Sequence, residues 1–219
     1  MFALRSFSTV AMLTICLLYP LAYAQDTSPA SPDKDGWLSL FNGKDLAGWQ
    51  KAREPREDPL WTVEDGSMTN LEGARDIATV EEFTDFELTL EYKTVPHGNS
   101  GVYLRGRIEI QVLDSYGKEP PSTGDDGAIY GQFAPAVNAS KPVGEWNKLE
   151  ARLVNDTITV KLNGKLVHDN VKLTQVCGGA LPGGLLDQGP IRLQGDHGKV
   201  WYRNLKLKPI IAEDKPQTK

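Results

Sequence analysis

Apolar and polar residues alternate with a period of two along most of this chain. Phe86, Leu88, Leu90 and Tyr92 are interleaved with Glu87, Thr89, Glu91 and Lys93. Leu149, Ala151 and Leu153 alternate with Lys148, Glu150 and Arg152, and Ile158, Val160 and Leu162 with Thr157, Thr159 and Lys161. Successive strand side chains point to opposite faces, so each run predicts a strand with one buried and one wet side. Asn163-Gly164 suits the type I′ turn of a hairpin leading into 165–168. No segment carries the 3.6-residue periodicity of an amphipathic helix, and no repeat of fixed period suggests a propeller or solenoid. About a dozen short strands of this kind predict an all-β sandwich of two stacked antiparallel sheets.

One predicted hairpin departs from the usual wet face. In Asn99–Asp114, Val102 and Leu104 share one face of the first strand, while Asn99, Tyr103 and Arg105 share the other. Gly106-Arg107 is the expected turn. In the second strand Ile108, Ile110 and Val112 face the core, leaving Glu109 and Gln111 opposite. The polar side thus gathers an amide, a phenol, a guanidinium, a carboxylate and a second amide, groups that suit sugar hydroxyls and carbonyls. A solvated sheet with Arg105 paired to Glu109 is the plainer alternative. A second cluster spans Pro190–Asn204: Arg192 and Gln194 point away from Ile191 and Leu193, and His197 sits in a turn flanked by glycine. His197 is the candidate for titration near neutral pH. His97, in a Pro-His-Gly-Asn loop, ranks below it, and His168 is expected to be exposed.

Composition narrows the partners. The 219 residues carry a net charge of −5 with no Lys/Arg cluster, which argues against nucleic acid. The 21 Gly and 14 Pro fit strands and turns better than helices. Residues 1–24 have one early charge, Arg5, an apolar run over Val10–Leu18 and a closing Ala22-Tyr23-Ala24. That is the pattern of a signal peptide cleaved near Ala24/Gln25, with an apolar run shorter than the ~20 residues of a membrane span. A secreted or periplasmic domain over 36–211 is expected, after a flexible leader at 25–35 and before a polar tail at 212–219, with no membrane span once the signal is removed. Cleavage would leave Cys177 alone, so no intramolecular disulfide is expected. No metal-ligand motif is present. Asp114, Asp125 and Asp126 could at most assemble a Ca²⁺ site.

Several stretches resemble, in order, the 3-keto-disaccharide hydrolase domain family: Gly36–Trp49, Asn99–Arg105, Glu109–Asp114, Gly127–Gly131, Gly144–Asn147 and Arg203-Asn204. The resemblance spans about residues 36–208 and implies a concanavalin-A-like jelly roll acting on glycosides already oxidised at C3. The run Glu109-x-Gln111-x-x-Asp114 also resembles the Glu-x-Asp-x-x-Glu strand of laminarinase-type glucanases, with Gln replacing the middle acid and Asp the last. A C3 ketone acidifies the C2 proton, so a base can open the glycosidic bond by β-elimination, and water then adds back without a strict carboxylate pair. On this reading His197 or Glu109 is the base, Arg105 stabilises the enolate and Asp114 is the acid. Asn99, Tyr103, Gln111, Tyr130, Gln194 and Arg203 bind substrate. No cofactor is required, and a separate sugar 3-dehydrogenase must make the ketone. A lectin-like module binding glycans through the same face is the alternative.

Overall fold

The computed structural model describes residues 31–53 and 59–211. The predicted signal, most of the leader and the tail therefore lie outside the described residues. The described chain holds thirteen strands and no helix. In order these are β1 (Leu38–Ser39), β2 (Trp49–Lys51), β3 (Trp61–Glu64), β4 (Ser67–Asn70), β5 (Ile77–Thr79), β6 (Phe86–Thr94) and β7 (Asn99–Leu104). There follow β8 (Ile108–Leu113), β9 (Asn147–Val154), β10 (Thr157–Leu162), β11 (Lys165–Lys172), β12 (Arg192–Leu193) and β13 (Val200–Pro209). One sheet runs β11-β10-β9-β6-β13-β4-β3, with β1 on β13; the other runs β2-β5-β12-β7-β8. All pairings are antiparallel.

The alternating runs become the core faces of the large sheet. Leu207, Leu88, Ala151 and Val160 lie side by side across four strands, and all are buried. The small sheet answers with Ile77, Leu193, Val102 and Ile110, also in register and buried. Removing these two apolar faces from water is the main drive for stacking the sheets. Asn163 and Gly164 both adopt left-handed backbone at the β10–β11 turn, as the sequence predicts.

Two departures from strict alternation overturn expectations. His168 is buried, not exposed, with Nε2 2.9 Å from Gly127 O. The β10–β11 ladder shifts register around Val160, and the irregularity turns His168 inward beside it. Burial lowers its imidazole pKa.

The other concerns Arg105. The β7–β8 turn is made by Arg105-Gly106, both in left-handed backbone, and is closed by Arg107 N–H donating to Leu104 O at 3.0 Å. Alternation ends at such a residue, so Arg105 does not share the face of Tyr103. Its side chain is fully buried and pairs with Asp85 at 2.8 Å instead of Glu109. It also donates to Asn155 O at 2.8 Å, to Leu185 O at 3.0 Å and to Thr84 O. Arg105 is a structural clamp. Arg105→Ala should destabilise the fold by about 3–5 kcal/mol, because it takes the cation away from a buried carboxylate and the donor away from several carbonyls. Urea denaturation of the variant checks this, and a loss below about 1 kcal/mol would contradict the clamp.

Candidate functional site

The outer face of the small sheet carries a single row of residues across all five strands. Gln50 lies opposite Ala78, Ala78 opposite Arg192, Arg192 opposite Tyr103, and Tyr103 opposite Glu109. Directly paired residues share a face, so register alone brings Arg192, Tyr103 and Glu109 together. The Arg192 guanidinium lies 3.5 Å from the Tyr103 ring centroid, a close cation–π stack. Its Nη1 pairs with Asp76 at 2.9 Å and its Nη2 donates to Gly179 O at 2.9 Å.

Two residues along, on the same face, Gly101 is opposite Gln111, and Gln194 N–H donates to Gly101 O at 3.0 Å. Glycine is needed here for space. A Cβ on Gly101 would stand 2.3 Å from Glu109 Oε1, so the carboxyl lies directly over this gap in the floor. The Gln111 amide, oriented to donate, reaches Glu109 Oε1 at 3.3 Å and meets the Asn99 amide at 3.1 Å. Glu109 is only 3% exposed. Burial pushes its carboxyl up to about 7, against the opposing pull of the Tyr103 hydroxyl, Arg192 and His197. Burial likewise holds the Tyr103 hydroxyl well above its usual range, reinforced by the Glu109 charge.

Beside Tyr103, Arg192 and Gln194 opens a cavity of about 580 Å³. Tyr103, Arg192, Gln194 and Asp76 line it, together with Lys51, Arg53 and Arg75 and with Asp196 and His197. Four cationic side chains face two carboxylates among these lining residues, an excess suited to a developing oxyanion. Arg53 is held by the carbonyls of Gly179 and Ala180, so two guanidiniums meet at Gly179 O. His197 Nδ1 contacts Asp196 Oδ1, which fixes the ring at the rim. Among the described residues no tryptophan lines the cavity.

The structure thus gathers Asn99, Tyr103, Glu109, Gln111, Gln194 and His197, and does not gather the remaining sequence candidates. Asp114 lies beyond the far end of β8, where its Oδ2 accepts from His97 N at 2.9 Å. Tyr130 is exposed and contacts Glu109 through backbone, its N–H donating to Glu109 O at 3.0 Å. Arg203 is on the other sheet, paired with Glu91 at 2.6 Å and stacked 3.9 Å from the Trp146 ring centroid. Asp76, Lys51, Arg53 and Arg75 are not among the sequence candidates; they lie in or next to strands of three residues, too short for alternation to assign a face. Arg192 was placed outward, but its stacking on Tyr103 depends on a non-local strand pairing.

The three aspartates considered for calcium are each engaged elsewhere. Asp114 holds the His97 turn, Asp125 binds Lys118 at 2.7 Å and Ser122, and Asp126 accepts from Tyr92, Ser140 and Leu113 N. Among the described residues no group of three or more His, Cys, Asp or Glu side chains is arranged to hold a metal. Cys177 is buried under Glu109, accepting from Glu109 N and Gln132 Nε2, each at 3.2 Å, and burial raises its thiol pKa.

Residues 36–208 match the family described as the 3-keto-alpha-glucoside-1,2-lyase-like domain. A 3-keto-disaccharide hydrolase of Bacteroides thetaiotaomicron is 27% identical, with 86% of this chain and 83% of that protein aligned. Two solved structures from Parabacteroides distasonis ATCC 8503, provisionally named glycosyl hydrolases, superpose with TM-scores of 0.69 and 0.62. They are 28% and 29% identical, covering 83% and 80% of this chain and 90% and 99% of theirs.

The titration of Glu109 has a definite sign. Its folded pKa lies above the ordinary carboxyl value, so the folded protein keeps a proton that the unfolded chain releases. Stability from this source is full below the ordinary carboxyl range and is lost as pH rises through about 7. Glu109→Gln should therefore gain stability relative to the parent between pH 5 and 8, by about 2–3 kcal/mol. Denaturant titrations at both pH values check it, and an unchanged difference would contradict the buried carboxyl.

Proposed function

The chain belongs to the 3-keto-alpha-glucoside-1,2-lyase-like domain family, and from that premise we propose that it hydrolyses glycosides already oxidised at C3 of the sugar. The observation that carries the reading is Glu109: a buried carboxyl titrating near neutrality, directly opposite Tyr103, which lines a sugar-sized cavity together with an excess of guanidinium charge. A base with such a pKa is charged often enough to accept a carbon-bound proton and basic enough to take it.

In the proposed sequence the Glu109 carboxylate takes the C2 proton. The C–H electron pair moves into the C2–C3 bond, and the C3 oxygen becomes an enolate facing Arg192, with Arg53 nearby. As the carbonyl reforms, a C1–C2 double bond forms and the C1–O bond breaks. The departing oxygen keeps that bond's electrons and takes a proton from His197 on the rim. Water then adds across the double bond: its hydroxyl bonds to C1 while His197 takes the water's other proton, and Glu109 returns its proton to C2, which completes hydrolysis with both residues back in their starting states. Tyr103, Gln111 and Gln194 orient the ring hydroxyls. Relative to the sequence reading, the base role goes to Glu109, the enolate role passes from Arg105 to Arg192, and the acid role passes from Asp114 to His197.

The same proposal includes export through the segment ending at Ala24, outside the described residues, and an oxidoreductase elsewhere that supplies the C3 ketone. The test is release of methanol from methyl 3-keto-α-glucoside, with unoxidised methyl α-glucoside as control. The parent should cleave only the ketone. Glu109→Gln should lose about 10²–10⁴-fold in kcat/KM. The parent's rate should climb with pH to a limb near 7, where the carboxyl loses its proton. Binding of either sugar without release would support a lectin-like module instead.

A further inference from the structure

The protein is acidic, with a net charge of −5, yet the lining of the cavity beside Tyr103 carries four cations and two carboxylates. Both carboxylates are engaged. Asp76 pairs with Arg192 at 2.9 Å, and Asp196 contacts His197. The other three cations are Lys51, Arg53 and Arg75, and backbone pairing brings them to one corner. Lys51 lies opposite Ile77 in the β2–β5 ladder, and Ala52 N–H donates to Asp76 O at 3.1 Å. That bond ties the middle of Lys51-Ala52-Arg53 to the residue after Arg75. Among the described residues neither Lys51 nor Arg53 forms an ion pair with a carboxylate. Arg53 donates to the carbonyls of Gly179 and Ala180, which accept its hydrogens without cancelling its charge.

Like charges held together without counter-ions repel, and an anion placed among them relieves that repulsion. The enolate of the proposed reaction does so near the reacting carbons, where Arg192 stands, but not in the corner. Lys51 belongs to β2 and Glu109 to β8, at opposite edges of the sheet β2-β5-β12-β7-β8. Four steps of about 4.8 Å separate these strands by roughly 19 Å, well beyond the width of one pyranose ring. A group that meets Lys51 is therefore not the oxygen that becomes negative at C3. It is a group charged before the reaction begins. An ammonium beside guanidiniums suits the oxygens of a carboxylate or a phosphate.

We propose that the corner formed by Lys51, Arg53 and Arg75 binds an anionic substituent of the substrate, so that the glycoside taken by this protein carries a carboxylate or phosphate away from its reacting carbons. The inference rests on the catalytic reading for the word substrate. Capture of the charged group does not depend on turnover, so binding tests it separately. Contacts to such a remote group supply binding energy that holds the reacting ring in place.

Calorimetric titration compares three unoxidised probes on one skeleton: trehalose, its 6-phosphate, and the uronic acid with a carboxylate at C6 of one ring. At low salt the parent should bind at least one acidic probe about tenfold more tightly than trehalose. Raising the ionic strength to about 1 M, where the Debye length falls to about 3 Å, should shrink that preference several-fold. A preference for the phosphate alone assigns a phosphate ester, for the carboxylate alone a uronide, and for both a corner that reads charge. Lys51→Met should bring the ratio of acidic to neutral affinity within about twofold, and Lys51→Arg, which keeps the charge, should retain it. The ratio is read within each variant, so a general loss of affinity does not imitate the effect. Arg75→Gln, at an exposed position, is the second variant and should lower the ratio about threefold. Equal parental affinity for acidic and neutral probes, a preference indifferent to salt, or variants that both keep the parental ratio would overturn the proposal. The charge preference without cleavage of the 3-keto form of any probe would support the corner and retire the catalytic reading alone. Cleavage of 3-keto-trehalose without a charge preference would retire the corner alone.

Discussion

A carboxyl group held out of water on the outer face of a β-sheet is costly, and much of this site is organised around keeping Glu109 there. Four features act together on it. Gly101 leaves the volume the carboxyl fills, Tyr103 stands directly opposite, the Gln111 amide reaches its oxygen, and the chain around Cys177 packs beneath it. Their net effect is a group that titrates near neutrality instead of in the ordinary carboxyl range. A fully solvated carboxylate would be a weak base toward carbon, and a buried one without polar neighbours would stay protonated. The arrangement lies between these limits.

The remainder of the fold makes that placement rigid. The inner face of the small sheet is the apolar row Ile77, Leu193, Val102 and Ile110, packed against the large sheet, so the outer row above it is registered by the same ladder. Arg105 and Arg107 fix the turn at one end of the β7–β8 hairpin. Arg105 does so through Asp85, and Arg107 by donating to the carbonyls of Pro182, Asp187 and Gln188. At the other end Asp114 closes on the His97 turn. Residues that look chemical in the sequence therefore serve as fasteners at the two ends of the hairpin whose middle carries the candidate chemistry. Separating the two jobs lets Tyr103 line the cavity, with Glu109 directly opposite it, while the hairpin is held in place by groups outside it.

The all-β sandwich and the faces of its long strands were legible because two-residue alternation is a local property. Phe86–Thr94, Asn147–Val154 and Thr157–Leu162 form strands whose apolar positions face the core, and Asn99, Tyr103, Glu109 and Gln111 share one surface as the pattern requires. Legibility ended where the backbone leaves the regular pleat. Arg105 is lost to a left-handed turn, and His168 to a register shift. Asn204, also left-handed, marks the irregularity in β13 between Arg203 and Lys206. Arg203 failed for a different reason: its outward orientation does not say which sheet it belongs to. Asp76 and Lys51 failed because strands of three residues carry too little pattern, and the Arg192–Tyr103 stack because it joins strands about ninety positions apart in the chain.

The guanidinium excess and the raised carboxyl pKa can be understood as one electrostatic design. Arg192 and Arg53 converge on a single carbonyl, and Arg192 is itself buried, which lowers its own pKa. Two cations so placed repel one another, and the nearness of Arg53 adds to burial in lowering the Arg192 pKa. A reaction that moves a proton onto Glu109 removes one negative charge from the floor and creates another on an oxygen a few ångströms away. The net charge of the pocket is unchanged and only its position shifts toward the guanidiniums. A preorganised site favours that displacement because its dipoles and ion pairs need not reorient as the charge moves. Asp76 completes the arrangement. Its pairing with Arg192 Nη1 keeps that guanidinium flat against Tyr103 and leaves the cationic surface turned toward the cavity, not folded onto Glu109. A direct ion pair between the carboxyl and the guanidinium would pull the Glu109 pKa down toward the ordinary range, and none forms among the described residues.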